Sequence, residues 1–382
     1  MKQSFNKKTI YILRTNPVSP DSRVEKESLS LANNGYNVRI IAWDRNSNHK
    51  NETSLLHNNP NITISRIGVK ASFGGGKKNI VPFLKFKKES LKILKKEACN
   101  IFALHACDYD TACFSYKFAK KKNIHFVFDI FDFKYGRPKG LIQSLVKKNQ
   151  IKIINQADAT IICTEQRLKQ IEGSSPKTIS IIHNSPSLAF STSIRVCKSL
   201  SNKTKFCYVG ILQNGRLIKE ICEYFARHSE IELHIAGFGY LESFIKEISN
   251  IHKNIFFYGK IPYEKTISLE NSCDVIFALY NPAIENNRFA APNKFYEACF
   301  LGKPVIMVKN TGMSENVEKE EVGVLIDYSQ EGVAFGVENI LSKKEDWKKM
   351  RLKLNKMYKD LYSWEIMEER LLNLYASIEA LK

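Results

Sequence analysis

The sequence Pro292-Asn-Lys-Phe-Tyr-Glu-Ala-Cys-Phe-Leu-Gly-Lys-Pro-Val-Ile306 contains the signals of a helix followed by a buried strand. Pro292 is suited to the start of a helix, and Gly302 is suited to the left-handed conformation that ends one. Glu297 lies one turn after Lys294, so the two side chains share a helix face. The N–H groups at such a helix start favour phosphate, and a carboxylate one turn later can accept hydrogen bonds from a sugar diol. In the alternative interpretation, Glu297 only caps the helix or pairs with Lys294 at the surface.

Strand and helix signals alternate along nearly the whole chain, which indicates parallel βαβ units. The predicted strands are 9–13, 37–43, 62–67, 101–105, 125–130, 159–163 and 178–182, then 205–209, 231–236, 254–258, 274–280, 304–308 and 323–326. A Ser-rich segment separates the two sets. We therefore predict an α/β protein with two Rossmann-like domains, whose parallel sheets face a ligand-binding cleft at the carboxyl ends of their strands.

The predicted domain boundaries follow from this alternation. The first domain spans 1–188, a linker spans 189–203, and the second domain spans 204–360. A final helical segment, 361–382, carries Trp364, Leu371 and Leu374 at roughly helical spacing. We expect it to pack back on the first domain.

The charge and the cysteine content limit the classes of partner and metal site that the protein can have. The 382 residues carry a net charge of +19, which favours anionic partners, although a lysine-rich solvated surface explains it as well. The nine cysteines form no CxxC pair and no His/Cys cluster at zinc spacing, so we expect reduced thiols and no bound metal. No apolar stretch approaches the length of a transmembrane helix. These features predict a cytoplasmic protein.

Several segments together resemble the retaining glycosyltransferase family numbered four, which has the GT-B fold. The stretch 292–306 is similar to the family's donor-site signature. Similar elements are Lys205–Arg216, with its strand, glycines and basic residue, the Gly-x-Gly turn at Ala236–Glu242, Asn254–Pro262, and, upstream, Ala157–Glu165 and Ile181–Asn184.

The resemblance implies transfer of a hexose from a UDP- or GDP-linked donor to a lipid-linked or polysaccharide acceptor, with retention and without a metal. It implies that the second domain binds the donor and the first the acceptor. Arg216 and Lys294 would act in catalysis by neutralising the leaving diphosphate; otherwise Arg216 is a solvated arginine at a helix start. The implied donor-binding residues are Gly210, Gly215, Arg216, Gly237, Tyr280, Asn293, Lys294 and Glu297.

Two departures from the family pattern concern the reacting sugar. The family often has a second glutamate eight positions before Glu297, where this chain has Phe289. Many relatives have a histidine where Phe131 stands. Asp132 is a candidate catalytic residue that takes over a polar role there, or Asp129 and Asp132 only cap the turn after a strand.

Polar residues of the first domain are candidates for acceptor binding. Asp108-Tyr-Asp110 spells a DxD, which binds metal in other glycosyltransferases, but N-capping of a helix explains it as well. Asp108 is the candidate to contact the acceptor. Arg23 could reach an acceptor phosphate, or its loop could be a simple helix-start turn.

A basic amphipathic segment, 83–98, predicts reversible contact with an anionic membrane surface. Leu84, Leu91, Leu94 and Ala98 fall on one helical face, and lysines occupy the others. In the alternative, the leucines pack on the sheet. A second basic stretch spans 139–148. The protein would then be peripheral on the inner face of the plasma membrane.

Three other functions remain open at this point. A nucleotide-sugar epimerase could share the fold, and Phe289 is compatible with a non-catalytic sugar- or lipid-binding protein. The charge is compatible with nucleic acid, but the sequence contains no recognised nucleic-acid module, so we predict no nucleic-acid partner.

Overall fold

The computed structural model describes residues 7–49, 52–72, 75–134, 140–187 and 196–380. The chain forms two compact units: the first comprises Met1–Ile182 and Glu368–Lys382, and the second comprises His183–Met367. The unit boundaries therefore fall six residues before the predicted end of the first domain and seven after the predicted end of the second. Residues 189–195 of the predicted linker, and Lys139 of the second basic stretch, lie outside the described residues.

The first unit is built on an eight-stranded sheet in the order β3-β4-β2-β1-β5-β6-β7-β8. All neighbouring strands are parallel except β3, which pairs antiparallel with β4. The strands are β1 (Thr9–Arg14), β2 (Asn37–Asp44), β3 (Thr53–Leu55), β4 (Ile62–Gly68), β5 (Ile101–Cys107), β6 (His125–Ile130), β7 (Ala159–Ile162) and β8 (Ile179–Ile181). The helices are α1 (Ser22–Asn33), α2 (Ile80–Lys96), α3 (Asp108–Lys122), α4 (Leu141–Gln156) and α5 (Arg167–Gln170).

The second unit is built on a six-stranded, all-parallel sheet in the order β11-β10-β9-β12-β13-β14. Its strands are β9 (Lys205–Ile211), β10 (Glu232–Phe238), β11 (Ile255–Phe257), β12 (Val275–Ala278), β13 (Val305–Val308) and β14 (Gly323–Ile326). The helices are α6 (Ile218–Arg227), α7 (Glu242–Ile251), α8 (Tyr263–Asn271), α9 (Asn293–Leu301), α10 (Ser314–Glu320), α11 (Gln330–Ser342) and α12 (Trp347–Met357). The last helix, α13 (Trp364–Glu379), belongs to the first unit from Glu368 onward.

Each sheet is stabilised by its own hydrophobic core. In the first unit, the rings of Trp43 and Phe86 stack with centroids 5.1 Å apart. In the second, the ring of Phe206 lies 5.2 Å from that of Phe225 and 5.8 Å from that of Phe277. Burying one such side chain contributes about 1.5–3 kcal/mol. The apolar strand runs recognised in the sequence are therefore the strands whose burial holds each unit together.

The strand orders place a topological switch point in each sheet. In the second unit the chain runs from β9 outward through β10 and β11, then returns to the other side of β9 as β12. In the first unit the switch lies between β1 and β5. Ligands of open parallel sheets bind outside the carboxyl ends of the strands at such points. The loops after β9 and β12, and those after β1 and β5, are thus the places to look for a site.

Among the helices of the described residues, none has the length and apolar character needed to cross a bilayer.

Candidate active site

Two side chains meet at the switch point of the second unit. Arg216 follows β9, Tyr280 follows β12, and the guanidinium carbon of Arg216 lies 3.7 Å from the centre of the Tyr280 ring. The Nη1 atom of Arg216 is buried, and it makes no hydrogen bond to any residue that the structure describes. Leaving a buried charged donor unpaired costs about 1–3 kcal/mol. The arrangement therefore presents a hydrogen-bond donor that is suited to an anionic ligand.

The loops that carry these two side chains are tied to each other. Gly215 has φ +87, a left-handed conformation that favours glycine, and its carbonyl oxygen accepts a 3.2 Å hydrogen bond from the backbone N–H of Asn281. The backbone N–H of Asn214 donates to the hydroxyl of Tyr240, which follows β10. These bonds hold the Arg216 loop against its neighbours before any ligand arrives.

Lys294 lies between two carboxylates. Its Nζ donates to Glu270 Oε1 at 2.6 Å and also to Glu297 Oε2. All three residues are buried. The structure therefore contains the Lys294–Glu297 pair of the alternative interpretation, but in a buried helix and with a third member, Glu270 of α8. Sequence reasoning missed Glu270 because its partners lie 24 and 27 residues further along the chain, beyond the reach of helix periodicity.

The pKa values in this cluster follow from burial and from the neighbouring charges. Burial and the Glu297 carboxylate raise the pKa of Glu270 to about 8, against the lowering effect of Lys294. Burial alone would lower the pKa of Lys294, but the two carboxylates raise it well above its usual range. Burial also raises the pKa of Tyr208, while the charges of Arg216 and Lys294 oppose that rise. The charges of Arg216 and Lys294 both act on the Tyr208 hydroxyl, and Glu297 is joined to Lys294 by their ion pair.

The switch point of the first unit is bridged by an ion pair. Arg14, at the end of β1, donates from Nη1 to Asp108 Oδ2 at 2.6 Å and from Nε to Asp21 at 2.8 Å. Its guanidinium carbon lies 4.1 Å from the centre of the Phe131 ring. The sequence analysis did not single out Arg14. Its position directly after the predicted buried strand 9–13, at a carboxyl end, was the available signal.

Asp108 does not cap α3, so the predicted N-capping is wrong. The cap position is Cys107, and no side chain there accepts a helix N–H. Asp108 itself has φ +65, and its Oδ1 accepts the backbone N–H groups of Phe131 at 3.0 Å and Asp132 at 2.9 Å. Burial raises the pKa of Asp108 to about 6, although the Arg14 charge lowers it. The carboxylate fixes the loop after β6 instead of the helix start.

Asp129 and Asp132 do not act together as a turn cap. Asp129 is buried and forms an ion pair with Arg23 at 2.8 Å. Asp132 has a side chain that is 70% exposed and pairs with the buried Arg167 at 3.1 Å. Asp132 is therefore accessible to a ligand, whereas Asp129 belongs to the interior.

The prediction that Arg23 reaches an acceptor phosphate is contradicted by its burial. Arg23 is 3% exposed and donates to Glu27 at 2.9 Å, to Asp129, and to the carbonyl oxygen of Ile182 at 2.9 Å. Its guanidinium also lies over the Phe131 ring, on which Arg14 stacks too. Breaking buried ion pairs is costly, so Arg23 is held inside the unit.

Residues 192–357, which include β9 to α12, match the family Glycosyl transferases group 1. The match covers less than half of the chain. No curated protein matches the chain as a relative.

Solved structures share the architecture over nearly the whole glycosyltransferase. Sucrose-phosphate synthase from Thermosynechococcus elongatus superposes with a TM-score of 0.77 at 15% identity, covering 98% of this chain and 100% of that one. The structure described as trehalose-6-phosphate from E. coli bound with UDP-2-fluoro glucose superposes with a TM-score of 0.71 at 9% identity, covering 98% of this chain and 99% of that one. Anabaena HepE in complex with UDP superposes with a TM-score of 0.70 at 12% identity, covering 97% of this chain and 100% of that one. The predicted GT-B fold and the predicted enzyme class, a glycosyltransferase, are confirmed.

The remaining donor-site residues of the group 1 domain have distinct placements. Asn293 is the exposed first residue of α9, and Gly210 lies near the end of β9. Gly237 is buried with φ +148, and its N–H donates to the carbonyl oxygen of Gly259. A Cβ at position 237 would lie 1.8 Å from the carbonyl oxygen of Gly210. Contact between adjacent strands thus explains this glycine, and its N–H is not available to a donor.

The DxD and one buried cluster of the first unit contain potential metal ligands, but their carboxylates form ion pairs with basic side chains. Asp108 pairs with Arg14, and Asp110 of the same DxD pairs with Lys134. His105, Cys107 and Asp129 form a buried group of potential metal ligands within the described residues. There Asp129 pairs with Arg23, and His105 Nδ1 lies 2.9 Å from the Tyr375 hydroxyl. These contacts explain the group as a buried hydrogen-bond network.

The basic helix of the glycosyltransferase, α2, is oriented differently from the predicted membrane helix. Leu94 is fully buried and Leu91 packs against the core, so the alternative interpretation holds for these two residues. The exposed apolar residues lie in the first turns instead: Ile80 is 55% exposed, Val81 61% and Leu84 52%. The same segment carries four exposed lysines: Lys77, Lys78, Lys85 and Lys88.

Proposed function

We propose that this glycosyltransferase is a retaining enzyme of family four that moves a hexose from a nucleotide diphosphate sugar to a lipid-linked or glycan acceptor. The observation that carries the proposal is the buried, unpaired Nη1 of Arg216, fixed over Tyr280 at the switch point of the second unit. Two of the solved structures with the same fold contain UDP or a UDP sugar. A uridine diphosphate sugar is therefore the first donor to test.

In this proposal the departing diphosphate is stabilised by charges that are already in place. Arg216 donates a hydrogen bond from Nη1, and the first turn of α9 offers the backbone N–H groups of Asn293 and Lys294 with the partial positive charge of the helix start. Because the loops are tied together before binding, these dipoles need no reorganisation when charge develops. Removing one such donor commonly costs about 3 kcal/mol in the barrier.

Glu297 is proposed to bind hydroxyl groups of the nucleoside. Its carboxylate is oriented by Lys294, so the lysine acts through Glu297 more than as a free counter-ion for phosphate. This revises the role expected for Lys294 from the resemblance. With Phe289 in place of the family's first glutamate, contacts to the transferred sugar must come from other residues.

We further propose that the reaction uses no metal ion. The diphosphate charge is assigned to Arg216 and to the start of α9. The carboxylates of the DxD, Asp108 and Asp110, are already paired with Arg14 and Lys134. A dication would have to displace both basic partners. Chelation with EDTA is therefore expected to leave turnover unchanged.

The acceptor is proposed to bind at the carboxyl edge of the first unit's sheet. Asp108 and Arg14 bridge the switch point there, and Asp132 stands exposed beside them. Asp132 is the proposed catalytic carboxylate of this unit, because its side chain is 70% exposed, whereas that of Asp108 is 23% exposed and paired with Arg14. Asp132→Asn should lower the kcat for acceptor transfer and leave UDP affinity unchanged.

A peripheral contact with an anionic membrane is proposed for the same unit. The exposed apolar residues Ile80, Val81 and Leu84 at the start of α2 lie in a segment with exposed lysines, and Leu141 and Leu145 at the start of α4 are 86% and 65% exposed. α3 packs against both helices, and both begin after strands of one parallel sheet. Apolar side chains with a basic rim are typical of helices that lie on anionic bilayers. Such a surface suits an acceptor that is itself a lipid.

The test is turnover with a panel of UDP- and GDP-linked hexoses, with and without a polyprenyl-phosphate-linked glycan acceptor. Transfer with retained anomeric configuration, lost in Arg216→Ala, supports the proposal. Conversion of the nucleotide sugar without acceptor would instead indicate an epimerase. Nucleotide binding with no turnover on any acceptor would indicate a non-catalytic protein.

A further inference from the structure

Three buried ionisable residues of the second unit form one cluster, in which two glutamates share the ammonium group of a lysine. Lys294 Nζ contacts Glu270 Oε1 at 2.6 Å and Glu297 Oε2, and the side chains of the two glutamates are 0% and 1% exposed. Glu297 and Lys294 belong to α9, while Glu270 comes from α8. The resemblance and the donor-site signature include no counterpart of Glu270. Its function has to be derived from its contacts.

Charge balance decides the state of this cluster. With both carboxylates ionised the cluster carries one net negative charge, and burying an uncompensated charge is costly. Uptake of one proton removes that charge. Burial and the Glu297 carboxylate raise the pKa of Glu270 to about 8, so Glu270 is the group that holds the proton near neutral pH. A neutral carboxyl still accepts the Lys294 hydrogen bond through its carbonyl oxygen.

We propose that Glu270 is a positioning residue for the nucleotide sugar, which in its protonated form holds Lys294 without adding a second negative charge beside the diphosphate. This inference rests on the proposed function, because it takes Glu297 and the start of α9 as the donor site. Ionised Glu270 would compete with Glu297 for the ammonium. It would also repel the phosphates that Arg216 and the helix start attract.

The groups around Glu270 allow a pH test. Lys294 and Glu297 face it from α9, and Tyr263 lies at the start of its own helix, α8. Burial and both glutamates raise the pKa of Tyr263 well above its usual range, so that hydroxyl stays neutral. The pKa of Lys294 is also raised. Between about pH 7 and about pH 9, Glu270 is thus the member of this cluster expected to change charge.

The experiment is calorimetric titration of the full chain with UDP at about pH 7 and about pH 9. If only the protonated cluster binds, the affinity of the wild type falls about tenfold over this interval. In Glu270→Gln, which cannot ionise, the ratio of the two affinities is near one. In Glu270→Leu, which loses the hydrogen bond to Lys294, UDP binds about tenfold more weakly than to the wild type at about pH 7. Glu232→Gln, another buried carboxylate of this unit, is the control and keeps the wild-type profile.

A second readout needs no variant. Titrations at about pH 8.5 in buffers of different ionisation enthalpy give the protons exchanged on binding. Wild type should take up a substantial fraction of one proton, since binding selects the protonated form. If the wild type shows neither a fall in affinity nor proton uptake, or if Glu270→Gln retains both, the inference is overturned while the donor site stands. If Arg216→Ala binds UDP as the wild type does, the proposed donor site fails, and this inference with it.

Discussion

The guanidinium of Arg216 stacks on the ring of Tyr280, 3.7 Å from its centre, and this contact joins the loops after β9 and β12. These two strands flank the switch point of the second sheet. A guanidinium held over an aromatic ring can still donate from its N–H groups to an oxyanion. The buried Nη1 is such a group. The contact thus converts a mobile side chain into a fixed donor at the expected ligand position.

Gly237 should be far more sensitive to substitution than Gly259 of the same unit. Gly237→Ala places a Cβ 1.8 Å from the carbonyl oxygen of Gly210, in a neighbouring strand that cannot move aside. We expect a loss of at least about 3 kcal/mol in the free energy of unfolding, measured by urea denaturation. Gly259→Ala is the control, because its φ of +64 is also left-handed but its Cβ meets no atom within 4 Å. It should cost about 1–2 kcal/mol. Equal losses would contradict the packing explanation.

The two carboxylates of the DxD should differ in their effect on stability. Asp108→Ala removes the acceptor of the Phe131 and Asp132 N–H groups and the partner of Arg14, so we expect a loss of at least about 2 kcal/mol. Asp110→Ala removes only a surface pair with Lys134 and should change the free energy of unfolding by less than about 1 kcal/mol. Chemical denaturation of both variants decides. A larger loss for Asp110→Ala would show that the loop after β6 is not held by Asp108.

Acid should destabilise the second unit through His234. Burial lowers the pKa of His234 to about 4, although Glu232 opposes the shift. The unfolded chain therefore binds a proton here at a pH where the folded chain does not, and stability falls as the pH drops from about 6.5 to about 4. The contribution is on the order of 3 kcal/mol.

The measurement is urea unfolding at about pH 7 and about pH 4.5. His234→Gln should show a smaller fall in stability between these values than the wild type. His49→Gln, at a histidine with a half-exposed side chain, should keep the wild-type dependence. If His234→Gln has the same pH dependence as the wild type, protonation of His234 does not cause the loss of stability in acid.

Binding to anionic liposomes should depend on the start of α2. Replacing Ile80, Val81 and Leu84 by Ser, or Lys77, Lys78, Lys85 and Lys88 by Gln, should abolish co-flotation, because each lysine near an anionic surface contributes about 1 kcal/mol. Lys120, Lys121 and Lys122 lie in the last turn of α3, and replacing them and Lys117 of the same helix by Gln is the charge-matched control. Co-flotation that survives both α2 variants would refute the proposed membrane contact.

The sequence predicts the fold well where the signal is local. Apolar strand runs such as Ile10–Leu13 and the Gly302 helix end lie within a few residues of the observed elements, because buried strands and left-handed glycines are fixed by neighbouring residues. β3 was missed, since its three residues are short, polar and at a sheet edge, where burial imposes no pattern.

The site is less predictable because its contacts are long-range. Helix spacing predicted that Lys294 and Glu297 share a face, and the two side chains form an ion pair. The grouping of Arg216 with them stays a prediction. The ion pair of Arg14 with Asp108 joins residues 94 positions apart, and the bond from Lys294 to Glu270 joins two different helices. Such partners depend on strand order, which a single sequence does not specify. Arg23 was misjudged for the same reason. It lies at the start of a helix and looks accessible in the sequence, but its guanidinium is bonded to Asp129 of β6 and to the carbonyl oxygen of Ile182.

The most direct test of the account is UDP binding to the wild type and to Arg216→Ala, measured by calorimetry with Arg227→Ala as a matched arginine control from the end of α6. We expect UDP to bind the wild type and the control with equal affinity, and the Arg216 variant to lose about a hundredfold or more in affinity. Equal affinity of the Arg216 variant and the wild type would show that the nucleotide does not bind at the switch point between β9 and β12.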